Sequence, residues 1–228
     1  MMRCFLVAAL VLACPAGALG QGADPSVRPQ RLTVSAGGAF AGGYPVGDIT
    51  ANLRRNTTGT PSPFPLLRAE SSIAGAGGPE LRIGVGLSRS LEIEASGTYA
   101  TTQLGVTITQ DDELGGGAFA SERIEQYTVD VSGVYLIPRV TIGSRVRPYA
   151  IAGGGYLRQL HEGRLRGETG GTMHVGGGLR YWLRGGGPTQ RAYGARAEVR
   201  YVRRTGGIDF EERARSFPRV SVLAFIGL

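Results

Sequence analysis

A period of two, repeated along most of the chain, limits what this sequence can fold into. Leu91, Ile93, Ala95, Gly97 and Tyr99 alternate with Glu92, Glu94, Ser96 and Thr98. Successive strand side chains point to opposite faces, so such a segment has one apolar and one polar side. Eight segments read this way, at about 31–43, 78–87, 91–104, 124–137, 146–160, 172–183, 193–203 and 219–228. The connections between them alternate in length. Long ones run over 44–75, 105–123, 161–171 and 204–218, and short ones over 88–90, 138–145 and 184–191. A soluble sandwich or lipocalin-like barrel has no reason to sort loop length by parity. A barrel across a membrane does, because its two ends meet different compartments. The expectation is an all-β fold, an eight-stranded antiparallel up-and-down transmembrane β-barrel with short periplasmic turns and long extracellular loops, over 31–228.

In such a barrel the usual assignment of faces inverts. The apolar set meets lipid, and the polar set points into a lumen that eight strands leave just wide enough for side chains. That set carries Glu80, Arg82, Glu92, Glu94, Asp130, Arg180, Arg196, Glu198 and Arg200 in mid-strand. On this count four acids find basic partners and one is left over. Buried charges must pair or meet water, and the guanidinium fork suits carboxylates. The expectation is a lumen plugged by Arg–carboxylate pairs, not an open pore.

Tyrosines mark the ends of the apolar faces. Tyr99, Tyr127, Tyr135, Tyr149, Tyr181, Tyr193 and Tyr201 are assigned to the lipid-facing parity as two aromatic girdles. Tyr127 and Tyr135, like Tyr193 and Tyr201, stand eight residues apart. At about 3.3 Å per residue and a tilt of about 40°, that spans roughly 20 Å along the membrane normal, near the expected apolar band of about 25 Å. In the segment over 146–160, Tyr149, Ile151 and Leu157 are placed on this outer face, with Gly153 to Gly155 as a bulge.

The closing segment is the least regular. Val220, Val222, Ala224, Ile226 and Leu228 share one parity, yet Leu223 and Phe225 occupy the one that should face the lumen. Either the lumen is apolar at that seam or a bulge switches the faces. At the other terminus, Arg3, the apolar run Phe5 to Ala13 and Ala18-Leu19-Gly20 fit a signal peptide over 1–20, followed by a periplasmic lead-in over 21–30. Both cysteines, Cys4 and Cys14, fall in that leader, so the mature chain offers no disulfide or thiolate metal site. The 38 glycines lie within alternating segments, which argues for crowded strands and not disorder.

Taken together, the leader, the eight segments, Arg147 to Tyr156 (R-P-Y-A-I-A-G-G-G-Y), Gly176 to Leu183 (G-G-G-L-R-Y-W-L) and the apolar end resemble the small outer-membrane barrel domains of the OmpA/OmpX type. The resemblance implies a cell-envelope protein of a Gram-negative outer membrane, contacting outer-membrane lipid and the barrel-assembly machinery. The chain departs from that pattern at its end, where Leu228 stands in place of a terminal aromatic.

Chemistry is sparse. The two histidines, His161 and His174, are followed by E-G-R and V-G-G, not by the H-x-S-N pattern that lipid A deacylase barrels resemble. Asp111-Asp112-Glu113 lacks calcium-loop spacing, and Gly115 to Gly117 and Gly185 to Gly187 lack the lysine and helix of a phosphate cradle. No cofactor and no metal are expected. The net charge of +7 is spread along the chain, which gives nucleic acid no footprint. Arg54, Arg55, Arg164, Arg166, Arg203 and Arg204 stand near the outer rim as candidate contacts to phosphates of an outer-leaflet glycolipid. The reading is a non-enzymatic barrel with an envelope-integrity or surface-contact role. A narrow channel is the alternative, and a lipid hydrolase acting through His174 comes third. Oligomeric state is not legible.

Overall fold

The computed structural model describes residues 32–53, 64–111, 118–138, 140, 142, 145–163, 166–184, 191–211 and 213–228. The leader and lead-in, Arg54, Arg55, Arg164, the acidic pair 112–113 and both glycine runs lie outside the described residues. Ten strands form one sheet: β1 (Leu32–Ala41), β2 (Tyr44–Leu53), β3 (Phe64–Ile73), β4 (Ala76–Gly86), β5 (Leu91–Asp111), β6 (Phe119–Leu136), β7 (Val146–Leu160), β8 (Gly167–Arg184), β9 (Ala192–Gly206) and β10 (Arg215–Gly227). Strands β1, β4, β5, β6, β7, β8, β9 and β10 pair antiparallel with their neighbours in that order, and β10 returns to β1. The result is the expected closed eight-stranded up-and-down barrel, with no free edge around its circumference. β1 meets β10 in continuous register from Thr33↔Gly227 to Ala41↔Arg219.

Strands β2 and β3 are the first correction. The polar stretch over 44–75, read as a loop, is a β-hairpin whose second strand pairs with the far half of β5, from Leu67↔Asp111 to Ile73↔Leu104. Pro45, Gly47 at φ 135° and two register shifts, Pro45/Gly47 and Ala51/Asn52, break the alternation that would have revealed it. The other long connections shrink for a related reason. β5 runs for 21 residues and β6 and β8 for 18 each, beyond the segments with clean alternation. Towards those ends the outward face turns polar as well (Thr101, Gln103, Arg123, Thr169), so hydrophobic period no longer marks a strand that cross-strand hydrogen bonds still hold.

The barrel is apolar outside and polar within. Leu81, Ile83, Val85, Val129, Val131, Val175, Val199, Val220 and Val222 are all exposed on the outer wall. Tyr127, Tyr135, Tyr181, Tyr193 and Tyr201 are exposed at its two margins. Tyr99 and Tyr127 are register partners with ring centroids 5.0 Å apart. Tyr149 is the second correction. It is 2 % exposed and points into the lumen with Ile151 and Leu157, so the parity of β7 is reversed from the sequence reading. Its registers with β6 and β8 run without a shift, so Gly153 to Gly155 form no bulge. Through the middle of β7 both faces are apolar or glycine, and the larger hydrophobes Ile151 and Leu157 lie on the inner one, so hydrophobicity points the wrong face at lipid. Tyr156, not Tyr149, is the exposed tyrosine of that strand.

Candidate functional site

The lumen is built in three tiers. The middle one is ionic, and it exists because β4, β5, β6, β8, β9 and β10 each aim charged residues inward at the same level. Glu198 on β9 is its hub. It accepts both Nη groups of Arg82 (2.8 and 2.7 Å), the Tyr149 hydroxyl (2.7 Å), Arg196 (3.1 Å) and the Nε of Arg200. Arg180 donates to Glu92 at 2.9 Å and to Glu94 at 3.4 Å, and Glu94 also accepts from Arg196. Arg82 donates to Glu80 at 3.0 Å. All nine charges named from the sequence are buried.

One lumen charge escaped that reading. Arg219 on β10 is 7 % exposed and reaches Glu80 at 3.0 Å and Asp130 at 3.5 Å. It opens the closing segment, and its parity matches the inward Leu223 and Phe225. With it, Glu80, Glu92, Glu94, Asp130 and Glu198 stand against Arg82, Arg180, Arg196, Arg200 and Arg219, and the surplus acid disappears. A neutral network suits the low dielectric, where an unpaired charge is costly and a hydrogen-bonded pair much less so. Room for these long side chains comes from inward glycines on the facing strands. A Cβ at Gly178 would lie 2.6 Å from the Tyr149 hydroxyl and 2.7 Å from Glu198 Cβ.

Apolar tiers close the lumen above and below. Towards the short turns, Val134, Leu136, Tyr149, Ile151, Trp182, Ala192 and Phe225 form a buried cluster. Trp182 and Phe225 meet edge-on at 5.8 Å, with the Arg180 guanidinium 5.4 Å from the Phe225 ring. The seam is therefore apolar, and β10 carries no bulge. Towards the hairpin, Tyr44, Val46, Ile73, Leu104, Ile124, Val202, Ile208 and Phe217 form a second cluster, with Tyr44 stacked on Phe217 at 4.9 Å. Arg204 is the third correction. The sequence puts it at the outer rim as a glycolipid contact, but it is 1 % exposed, lies 4.4 Å from the Tyr44 ring, and donates to Gln159 at 2.9 Å and to the Ile208 carbonyl. Its inward parity on β9 is the same as that of Arg200, a signal the sequence held.

Between the ionic and upper tiers lies a cavity of about 30 Å³, lined by residues that include Asp130, Thr172, His174, Phe217 and Arg219. That is space for one or two waters. Here the structure joins Ser132 to His174, Oγ to Nε2 at 2.9 Å, with Arg200 Nη1 at 3.3 Å from the same nitrogen. Arginine only donates, so Nε2 is the acceptor and the Ser132 hydroxyl donates to it. His161 stays apart at the hairpin end, its Nδ1 2.9 Å from Glu122. Among the described residues no three His, Cys, Asp or Glu side chains converge as metal ligands.

At the hairpin end three arginines are matched to carboxylates. Arg166 meets Glu168 at 3.1 Å, Arg213 meets Glu211 at 3.4 Å and Arg215 holds Asp209 at 2.8 and 3.1 Å. Of the glycolipid candidates, Arg166 and Arg203 are the ones exposed among the described residues. Burial works to raise the Asp209 carboxyl, but the hydrogen bonds and charge of Arg215 outweigh it and hold the group below the usual carboxylate range. A depressed carboxylate contributes stability that is whole above its unfolded value, about 3.9, and is lost as pH falls through its folded value. Protease resistance of the β9–β10 connection should therefore be flat from about pH 8 to 5 and fall only below about pH 4. Asp209→Asn should be susceptible throughout, and equal resistance of variant and parent at neutral pH would count against the clamp.

No family model matches the chain, and no curated protein sequence matches it. Among solved structures it is similar to the outer membrane protein OprG from Pseudomonas aeruginosa. The two share 11 % identity over 88 % of this chain and 96 % of that one, with a TM-score of 0.50. The likeness is one of fold.

Proposed function

We propose that the chain is a non-enzymatic outer-membrane β-barrel, exported by its leader, with an envelope-integrity or surface-contact role of the OmpA/OmpX kind. The observation that carries this reading is the apolar outer wall between two levels of tyrosine. Burying a Val, Leu or Ile side chain is worth about 1.5–3 kcal/mol, so a continuous belt of them facing water would be untenable for a monomer. Against lipid the same belt is favourable, and the tyrosines place their hydroxyls at its polar margins. The wild-type protein is expected in the outer-membrane fraction, migrating differently before and after boiling. Recovery from the soluble periplasm would overturn the reading.

The three-tiered lumen supports a structural role over a channel. An ion entering it would have to displace Arg–carboxylate pairs and pass two apolar clusters. Planar bilayers with the protein at high occupancy should stay electrically silent, and discrete conductance steps would favour the channel reading instead. The Ser132–His174 pair does not favour a hydrolase, because it opens onto a cavity of about 30 Å³, far below the volume of an acyl chain. His174→Ala is expected to leave envelope lipid composition unchanged.

A further inference from the structure

The two ends of the barrel differ in charge. At the hairpin end arginines are interleaved with carboxylates, and Arg166, Arg213 and Arg215 pair with them. At the opposite end the connecting sequences 87–91, 137–148 and 183–192 contain arginines and no aspartate or glutamate. Arg89 in the β4–β5 turn, Arg145 before β7, and Arg184 and Arg191 flanking the β8–β9 connection are exposed. Arg147 is half-buried at the lumen mouth, its guanidinium 5.7 Å from the Trp182 ring. None of these five makes an ion pair with a described residue. They therefore form a collar of uncompensated positive charge drawn from all three turns.

Their level matters as much as their sign. Arg184 is the register partner of the exposed Tyr193, and Arg191 stands two residues before that tyrosine on the same outer face. Arg89 precedes Leu91 by two, and Leu91 is the register partner of Tyr135. The Arg145 carbonyl accepts the Trp182 amide at 2.9 Å, which fixes the remaining turn against the end of β8. Tyrosines at a barrel margin mark the headgroup level of a bilayer. An arginine one step beyond them meets phosphate, for which its planar fork provides paired donors.

We infer that this collar binds anionic phospholipid headgroups of the leaflet at the short-turn end. The inference rests on the membrane-barrel reading above. Each basic residue near an anionic surface contributes on the order of a fivefold preference, which salt attenuates.

The full chain refolded in detergent micelles, offered equal phosphatidylglycerol and phosphatidylcholine, tests it by counting retained lipid with native mass spectrometry. Phosphatidylglycerol is expected to be retained at least tenfold over phosphatidylcholine at low salt. The preference should fall several-fold in Arg191→Gln and approach parity in Arg89→Gln/Arg145→Gln/Arg147→Gln/Arg184→Gln/Arg191→Gln. It should persist in Arg123→Gln/Arg158→Gln, whose exposed arginines lie at the hairpin end. Parity in the wild type, or an equal loss in the hairpin-end variant, would overturn the inference. Heat-modifiable migration of each sample separates the two levels of the proposal. A chain without it counts against the barrel in the membrane, whereas a folded chain at lipid parity counts against the collar alone.

Discussion

Replacing Glu198 with alanine is expected to cost about 3–5 kcal/mol of barrel stability, read as a lower urea midpoint for loss of the folded, heat-modifiable band in vesicles. The carboxylate is fully buried and serves four side chains at once, Arg82, Tyr149, Arg196 and Arg200. Its removal leaves five arginines of the ionic tier against four acids, with Arg82 losing both of its Glu198 contacts and keeping Glu80. The void left by the side chain admits water, but a neutral water does not cancel the surplus charge in the low dielectric. The sign of the effect has a second check. Arg200 has Glu198 as its carboxylate partner and otherwise reaches the neutral His174, so Glu198→Ala/Arg200→Ala restores neutrality and should recover part of the loss. A Glu198→Ala midpoint equal to wild type, or a double variant worse than the sum of the singles, would remove the case for an ionic plug.

The second large effect concerns volume. Gly178 faces the lumen on β8, where an added Cβ would press on the Tyr149 hydroxyl and on Glu198 Cβ. Neither can retreat, because each is held in the network and the barrel wall behind it is closed. Gly178→Ala should cost about 1–3 kcal/mol. Gly178→Val, with two further methyls aimed at the hub, should lose the heat-modifiable band on refolding. Gly97 serves as the control, since it is exposed on the outer face of β5 with open space where a Cβ would sit, and Gly97→Ala should refold as wild type does. Equal refolding of Gly178→Val and wild type would show that the lumen has slack the geometry denies.

Much of this architecture is legible in the chain. Strand count and closure follow from eight alternating segments, and the nine mid-strand charges lie on the lumen face because alternation in β4, β5, β6, β8 and β9 is clean. Legibility fails where hydrophobicity does not mark the lipid face of a strand. On β7, Ile151 and Leu157 are more apolar than Ala150 and Ala152, so hydrophobicity points their face at lipid, yet that face is buried in the lumen, where the Tyr149 hydroxyl meets Glu198. On β10, Arg219 shares a parity with Leu223 and Phe225, and a charge next to two hydrophobes gives no consistent assignment. The hairpin of β2 and β3 was hidden by prolines and bulges, which interrupt the period without preventing the pairing.

What the sequence determines by itself is the periodic part. A period of two sets the face of each residue, and the succession of short connections sets an antiparallel meander that can close. The tertiary structure decides the rest, because it depends on which atoms meet across the lumen. Strands distant in sequence bring five arginines and five carboxylates to one level, with a cluster of apolar side chains on either side. It also decides that the polar stretch after β1 is a hairpin, since the far half of β5, held on one side by β6, offers its other edge to β3.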